Sequence, residues 1–364
     1  MTRQLMKGNE AIAEAAIRAG AKHYFGYPIT PQNEVAEYLS KRMKEVGGVF
    51  VQAESEVAAS NMLFGAAASG KRVFTTSSSP GISLMQEAIS YIAGAHLPVV
   101  IVNIMRAGPG LGGILPAQSD YFQATKGGGH GDYRILVLAP SSVQEAVDLV
   151  AEAFELADKY RNPVLIVGDG MTGQMMEPVE FRSGVTDRMN DAAEWATDGA
   201  KGRPPRIIRS LFLDPLVLEQ NNHQLAEKYV RMEKEEIRYE EYEITPATEI
   251  VLVAYGTMAR ICKTVIDDLK SEKVQVGLFR PISLYPYPLE ALEKISDQPS
   301  VKAFLSVEMS MGQMVEDVER AVKGKKPVSF FGRCGGIVPS TEEVTTELKR
   351  LLSEWGGKGS RGNR

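Results

Sequence analysis

Cysteine is nearly absent. Cys262 and Cys334 are the whole complement of a chain of 364 residues, and they lie far apart without C-x-x-C spacing. That excludes a disulfide framework, and it excludes an iron–sulfur or structural zinc site built from this chain alone. Both thiols are expected to serve as small buried hydrophobes. Histidine is scarce as well: His23, His96, His130 and His223 show no ligand spacing, so no metal ligand is assigned. No apolar run approaches the roughly 20 residues that a membrane-spanning helix needs. No basic stripe stands out in a chain of net charge −5, which argues against nucleic acid as a partner. The first six residues carry no leader-like apolar stretch, so the cytoplasm is the expected location. A G-x-S-x-G elbow, a P-loop and an H-E-x-x-H helix are all missing.

What is present has the composition of a water-soluble globular protein, 44% hydrophobic and 24% charged, long enough for two domains. Up to about residue 170, Val/Ile-rich runs alternate with helical patterns. Ile12, Ala15, Ala16 and Ala19 form a helical stripe ahead of an apolar run at 24–27, and a helix is predicted over 31–45. Runs at 49–51, 73–76, 98–105, 135–139 and 163–167 read as strands, with helices from 56, near 82–93 and over 143–160. This alternation predicts crossover units and a parallel sheet covered on both faces. From 176 to 246 the pattern lapses, and one helix is expected over 216–236. So long a connection marks a domain boundary. A smaller α/β unit follows, with strands at 250–254, 274–279, 303–307 and 328–331 and helices at 258–270, 289–295, 313–322 and 341–352. The predicted organisation is a first domain over 1–178, a connecting segment over 179–246, a second domain over 247–355 and a disordered Gly-rich tail over 356–364.

Ligands of open α/β sheets sit beyond the carboxyl ends of the strands. Three strand ends stand out. In Gly26-Tyr27-Pro28-Ile29-Thr30-Pro31, Thr30 sits where a helix cap belongs and Pro31 suits a first helical position. Helix N-termini suit a carboxylate or phosphate. In Gln52-Ala53-Glu54-Ser55-Glu56, a carboxylate opens a helix of small residues, and the local pattern does not say whether Glu54 or Glu56 points inward. In Asn103-Ile104-Met105-Arg106, an arginine at a strand end suits bidentate carboxylate recognition. Each also reads as an ordinary turn or helix-start charge. Gly108, Gly110 and Gly113 match G-x-G-x-x-G, but Pro109 and Pro116 interrupt the loop and no helix opens at Gly113, which argues against a dinucleotide site. Asp169, in Gly168-Asp169-Gly170, lacks a suitably spaced downstream Asn and reads as a strand-end turn residue rather than a magnesium–diphosphate ligand.

Taken together, Tyr27-Pro28-Ile29-Thr30-Pro31, Ser55-Glu56, Ser79-Pro80-Gly81 and Arg106 resemble the α subunit of the 2-oxoacid:ferredoxin oxidoreductases. The resemblance covers nearly the whole chain, including 280–286 and 308–314. It is strongest to the four-subunit enzymes acting on branched-chain 2-oxoacids, such as 2-oxoisovalerate, or on 2-oxoglutarate. It implies a pyrimidine-type thiamine-diphosphate-binding domain followed by a transketolase C-terminal-like domain, both α/β. It implies that Glu56 is the catalytic carboxylate that hydrogen-bonds the aminopyrimidine of thiamine diphosphate, buried and shifted in pKa by desolvation. Thr30 and Arg106 match residues that hold the substrate carboxylate; Tyr27, Pro28, Ile29, Ser79, Pro80 and Gly81 match the cofactor-binding surroundings. The implied reaction is coenzyme A-dependent oxidative decarboxylation to an acyl-CoA and CO2, with electrons passing to ferredoxin. Mg2+ and [4Fe-4S] clusters are then expected on partner chains: a diphosphate-binding β subunit, a γ subunit and a ferredoxin-like subunit. Two alternatives stand beside this reading, another thiamine-dependent transketolase-like component and a non-catalytic structural subunit.

Overall fold

The computed structural model describes residues 3–181, 194–272 and 274–355. The chain opens with β1 (Gln4–Lys7), α1 (Gly8–Arg18), β2 (His23–Gly26), α2 (Asn33–Glu45), β3 (Val49–Gln52), α3 (Glu56–Ala68), β4 (Val73–Ser77), α4 (Pro80–Gly94) and β5 (Val99–Met105). There follow α5 (Tyr121–Thr125), β6 (Leu136–Leu138), α6 (Val143–Tyr160), β7 (Pro163–Asp169), α7 (Gly170–Gln174), β8 (Met176–Val179), α8 (Pro215–Glu235) and β9 (Tyr239–Tyr242). The remainder is β10 (Ile250–Val253), α9 (Gly256–Leu269), β11 (Val276–Pro281), β12 (Ser283–Tyr285), α10 (Leu289–Ser296), β13 (Ala303–Glu308), α11 (Met314–Val322), β14 (Val328–Gly332) and α12 (Thr341–Trp355).

A seven-stranded sheet runs in the order β12-β6-β7-β5-β4-β2-β3, and all its pairs are parallel except β12 on β6. Its strands alternate between two apolar layers, as a sheet covered on both faces must. In β5, Val99, Ile101 and Met105 face one layer while Val100, Val102 and Ile104 face the other. The first layer holds α3 and α4 and continues into Val251, Val253, Phe279 and Phe304 of the second sheet, so one core joins the two units. The other layer holds α1, α2 and α6. The second sheet has five strands, β14-β13-β10-β11-β9, with β9 antiparallel, and its other face packs on α9 and α12.

Three features of the sheets escape the sequence pattern. β1 and β8 form a two-stranded antiparallel ribbon from segments far apart in the chain. β9, within the 179–246 stretch, completes the second sheet. β12 follows β11 immediately yet leaves the second sheet and pairs with β6, Ser283 opposite Leu138 and Tyr285 opposite Val137. The arginine of 280–286 reinforces this crossing. Arg280 is buried and donates through Nη1 and Nη2 to both oxygens of Glu145, each at 2.7 Å, through Nη1 to Ser141 Oγ at 2.8 Å, and through Nε to Glu240 at 2.7 Å.

Long helix α8 lies against the first unit through a buried polar knot. Lys228 donates to the Arg161 carbonyl at 3.1 Å and sits 3.2 Å from His96 Nδ1, while His96 Nε2 is 3.1 Å from Asn221 Oδ1. The expectation for cysteine holds for Cys262, buried in α9, and fails for Cys334, which is exposed in the loop after β14. The predicted tail over 356–364 lies outside the described residues.

Candidate active site

The selected segments converge. β5, β4, β2 and β3 are consecutive neighbours in the first sheet, and their carboxyl ends carry Arg106, Ser79-Pro80-Gly81, Tyr27 to Thr30, and Glu56 respectively. Parallel pairing puts all of these at the same edge.

Glu56 opens α3, where Ser55 Oγ caps the helix by accepting the Ala58 N–H at 3.1 Å. The inward carboxylate is Glu56, 5% exposed, while Glu54 points to solvent. Gly81 lies against Glu56. A Cβ on Gly81 would stand 2.1 Å from Ser77 Oγ and 2.7 Å from Glu56 Oε1, so only glycine lets the first turn of α4 come this close. Among the described residues no hydrogen-bond partner reaches the Glu56 carboxylate, and the buried Ser77 and Ser78 hydroxyls are likewise without one. These groups fit a heteroaromatic ring carrying nitrogen and amino groups at its edge.

The second cluster sits on the ends of β4 and β5. Ser79 is its hub. Its N–H donates to Asn103 Oδ1 at 3.0 Å, its hydroxyl donates to Asp120 Oδ2 at 2.5 Å, and its oxygen accepts the Arg106 N–H at 2.9 Å. Asn103 Nδ2 donates to the same Asp120 oxygen at 2.9 Å. Burial pushes the Asp120 carboxyl above the usual carboxylate range, with the Ser79 and Asn103 donors pulling the other way. The Arg106 guanidinium reaches across to β2's loop, Nη1 donating to the Thr30 carbonyl at 3.0 Å and Nη2 to the Leu111 carbonyl at 3.1 Å. Its Nε is buried without a partner, which leaves a donor for an incoming oxygen. The structure thus joins Thr30, Arg106 and Ser79 directly.

The local expectation for Thr30 fails. α2 begins at Asn33 with Gln32 in the cap position, and neither Thr30 caps it nor Pro31 opens it. The competitor is Gln32, which sequence reasoning passed over. Fully buried, it donates from Nε2 to the Tyr27 carbonyl at 3.2 Å and accepts the Thr76 hydroxyl at 2.6 Å, and the helix starts two residues later than expected. The Thr30 hydroxyl instead accepts from Asn33 Nδ2 at 3.2 Å. Tyr27 is exposed, and Pro28 and Ile29 are half-buried. Asn103 did carry a signal, being a polar residue inside an apolar strand; Asp120, in an irregular loop, carried none. Gly108 to Gly113 form an exposed loop with no helix, as expected. Asp169 ends β7 and caps α7, accepting the N–H groups of Met171 and Thr172 at 2.9 and 3.2 Å, so it is a strand-end turn residue. Among the described residues no cluster of three or more His, Cys, Asp or Glu side chains could hold a metal ion, and no helix is long and apolar enough to cross a membrane.

Residues 14–241 match the family model described as pyruvate flavodoxin/ferredoxin oxidoreductase, thiamine diphosphate-binding, and residues 248–344 match pyruvate:ferredoxin oxidoreductase core domain II. The site and fold therefore define a thiamine-diphosphate-binding α/β protein. Over 97% of its length the chain is 49% identical to the ketoisovalerate oxidoreductase subunit VorB of Methanothermobacter marburgensis, covering 99% of that protein. It is 34% identical to the 2-oxoglutarate synthase subunit KorA of Methanocaldococcus jannaschii, over 94% of this chain and 98% of that one. In fold it resembles the 2-oxoglutarate:ferredoxin oxidoreductase of Magnetococcus marinus, with TM-score 0.82 and 24% identity over 97% of this chain and 66% of that one. A split-gene transketolase shares the architecture at TM-score 0.58 and 13% identity, over 96% of this chain and 98% of that one. The chain belongs to the 2-oxoacid:ferredoxin oxidoreductases, as one subunit of a multi-subunit enzyme of oxidative decarboxylation.

Proposed function

We propose that this subunit provides the pyrimidine half of the thiamine diphosphate site and the carboxylate clamp for a branched-chain 2-oxoacid such as 2-oxoisovalerate. The observation that carries the reading is Glu56: a buried carboxylate, without a hydrogen-bond partner among the described residues, against Gly81 at the carboxyl edge of a parallel sheet. When bound, thiamine diphosphate supplies the nucleophilic carbon and electron sink that decarboxylation needs. Glu56 holds a proton at N1′ of the aminopyrimidine, which makes the neighbouring amino group a better base. Tyr27, Pro28, Ile29 and Ser79-Pro80-Gly81 wall that end of the site. Arg106 supplies charge to the substrate carboxylate, and the Thr30 hydroxyl orients it. The diphosphate with its Mg2+, the [4Fe-4S] clusters and the remaining electron path to ferredoxin belong to β, γ and ferredoxin-like partner subunits, and coenzyme A takes the acyl group. The branched-chain preference is supported by 49% identity to the ketoisovalerate subunit against 34% to a 2-oxoglutarate one, which makes 2-oxoglutarate the second reading.

The test is 2-oxoacid-dependent reduction of a low-potential dye by the anaerobically purified complex, with coenzyme A and with or without thiamine diphosphate. Glu56→Gln should lower kcat by roughly 10²- to 10⁴-fold, the usual range for a positioned acid–base group, with the complex still assembled. Retained turnover would remove the mechanism and favour a structural subunit. Dye reduction independent of thiamine diphosphate would remove the family reading of the site. The best substrate decides between the two 2-oxoacid classes.

A further inference from the structure

The loop 308–314 of the second unit reaches into the first, and the segment it grips is the one that carries Asp120. Glu308 is fully buried and accepts from Ser306 Oγ, Ser310 Oγ and the N–H groups of Gln313, Met314 and Val315 at 2.7–3.1 Å. With its own carboxylate so satisfied, it fixes the start of α11 and with it the side chain of Gln313. Gln313 Nε2 donates to the Ser119 carbonyl and Gln313 Oε1 accepts the Phe122 N–H, both at 2.8 Å, one on each side of Asp120. Gln118 completes the grip. It exchanges backbone and side-chain bonds with Met309 at 2.8 and 3.1 Å, and donates to the Tyr255 carbonyl at 2.9 Å. Tyr121, next along, donates to Asp317 at 2.6 Å. Asp120 then ties Ser79 to Asn103, and Ser79 holds the Arg106 backbone.

We infer that the second unit sets the substrate site from a distance, with Gln313 and Asp120 as positioning residues that place Arg106 against the substrate carboxylate. The inference rests on the proposed role of Arg106. Glu56 itself makes no bond to Gln313, Asp120 or Arg106 and meets this helix at Gly81, beyond Ser79, so loosening this chain of contacts shifts substrate affinity more than cofactor affinity.

The experiment uses the intact complex. The KM for the preferred 2-oxoacid, kcat, the Kd of thiamine diphosphate by calorimetry and the Tm are measured for Arg106→Met, Gln313→Ala, Asp120→Ala and Asp120→Asn. Gln313→Ala and Asp120→Ala should each raise KM about tenfold, short of the roughly 100-fold that a full ångström of misplacement can cost. Their thiamine diphosphate Kd and kcat should move less than about threefold, a split that general unfolding does not give. Asp120→Asn, which keeps an acceptor for Ser79, should recover most of the loss. If Asp120→Ala does not assemble, Gln313→Ala decides alone. An Arg106→Met variant with unchanged KM would overturn the reading of the carboxylate site itself. A raised KM in Arg106→Met with wild-type KM in Gln313→Ala overturns the positioning inference only. So does a Gln313→Ala loss that falls equally on KM, kcat and cofactor binding.

Discussion

At the scale of single residues the site depends on what is small as much as on what is charged. Gly81→Ala would set a methyl group 2.1 Å from Ser77 Oγ and 2.7 Å from Glu56 Oε1. Overpacking of this kind costs about 1–3 kcal/mol, and here the movable partner is the carboxylate. The expected outcome is at least about a tenfold weaker thiamine diphosphate Kd, the factor equivalent to 1.4 kcal/mol, measured by calorimetry on the assembled complex. Unchanged binding would show that the bare Cα serves chain packing alone. The choice between Glu54 and Glu56 was closed to the sequence, because both flank the same helix start and orientation follows from which face of α3 meets α4. Gln32 was missed because capping rules favour Thr30, and those rules weigh local hydrogen bonds only. The bonds from Gln32 to Tyr27 and Thr76 are a tertiary term.

At the scale of elements, most strands and helices were legible from alternation, since a sheet buried on both faces leaves continuous apolar runs such as 99–102. β1, β8, β9 and β12 were not, being short, half-polar and paired to partners far along the chain. Helix α8 shows a different limit. Its attachment rests on groups whose titration only the folded structure sets. Burial and then the charge of Lys228 push the His96 imidazole down to about 4, and burial and then the charge of Arg161 push Lys228 down to about 7. An unfolded histidine titrates near 6.5. Between about pH 6.5 and 4 the unfolded state thus binds a proton that the folded state refuses, so this knot loses stability as pH falls through that window. Lys228 acts in the same sense higher up, its contribution rising from about pH 7 toward the ordinary lysine range near 10.4. Hydrogen exchange should show protection factors for 215–235 falling between pH 7 and 5 while those of α6 hold. Equal protection at the two pH values would contradict this account.

At the scale of the molecule, Arg280 is one of several contacts that bind the two units, beside the shared core and the grip of Gln118 and Gln313. Burial alone would raise the Glu145 carboxyl, but the Arg280 guanidinium and the Ser141 donors outweigh it and hold it below its ordinary value. Its contribution is therefore complete above the unfolded pKa near 4.3 and is lost only as pH falls through the lower folded value. Acid should free α8 before it parts the units. Arg280→Met leaves the half-buried Glu145 with only its Ser141 donors, a change expected to cost less than the roughly 3–5 kcal/mol of breaking a fully buried pair; urea unfolding should show a lowered midpoint, and adding Glu145→Gln should restore part of it. A midpoint within experimental error of wild type would show that the shared apolar core and the Gln118 and Gln313 bonds join the units without it. This crossing was not readable from the sequence, which presents Arg280 and Ser283 simply as neighbours.

The strand β12 belongs by sequence to one half and by pairing to the other. Exchange of halves between homologous genes is constrained accordingly. A chimera joined near 246 would import the edge strand of the recipient's own first sheet together with the foreign half, so Ser283 and Tyr285 must suit Leu138 and Val137 of a different parent. Recombinants that carry 283–285 from the same parent as 136–138 should outnumber all others among those that fold.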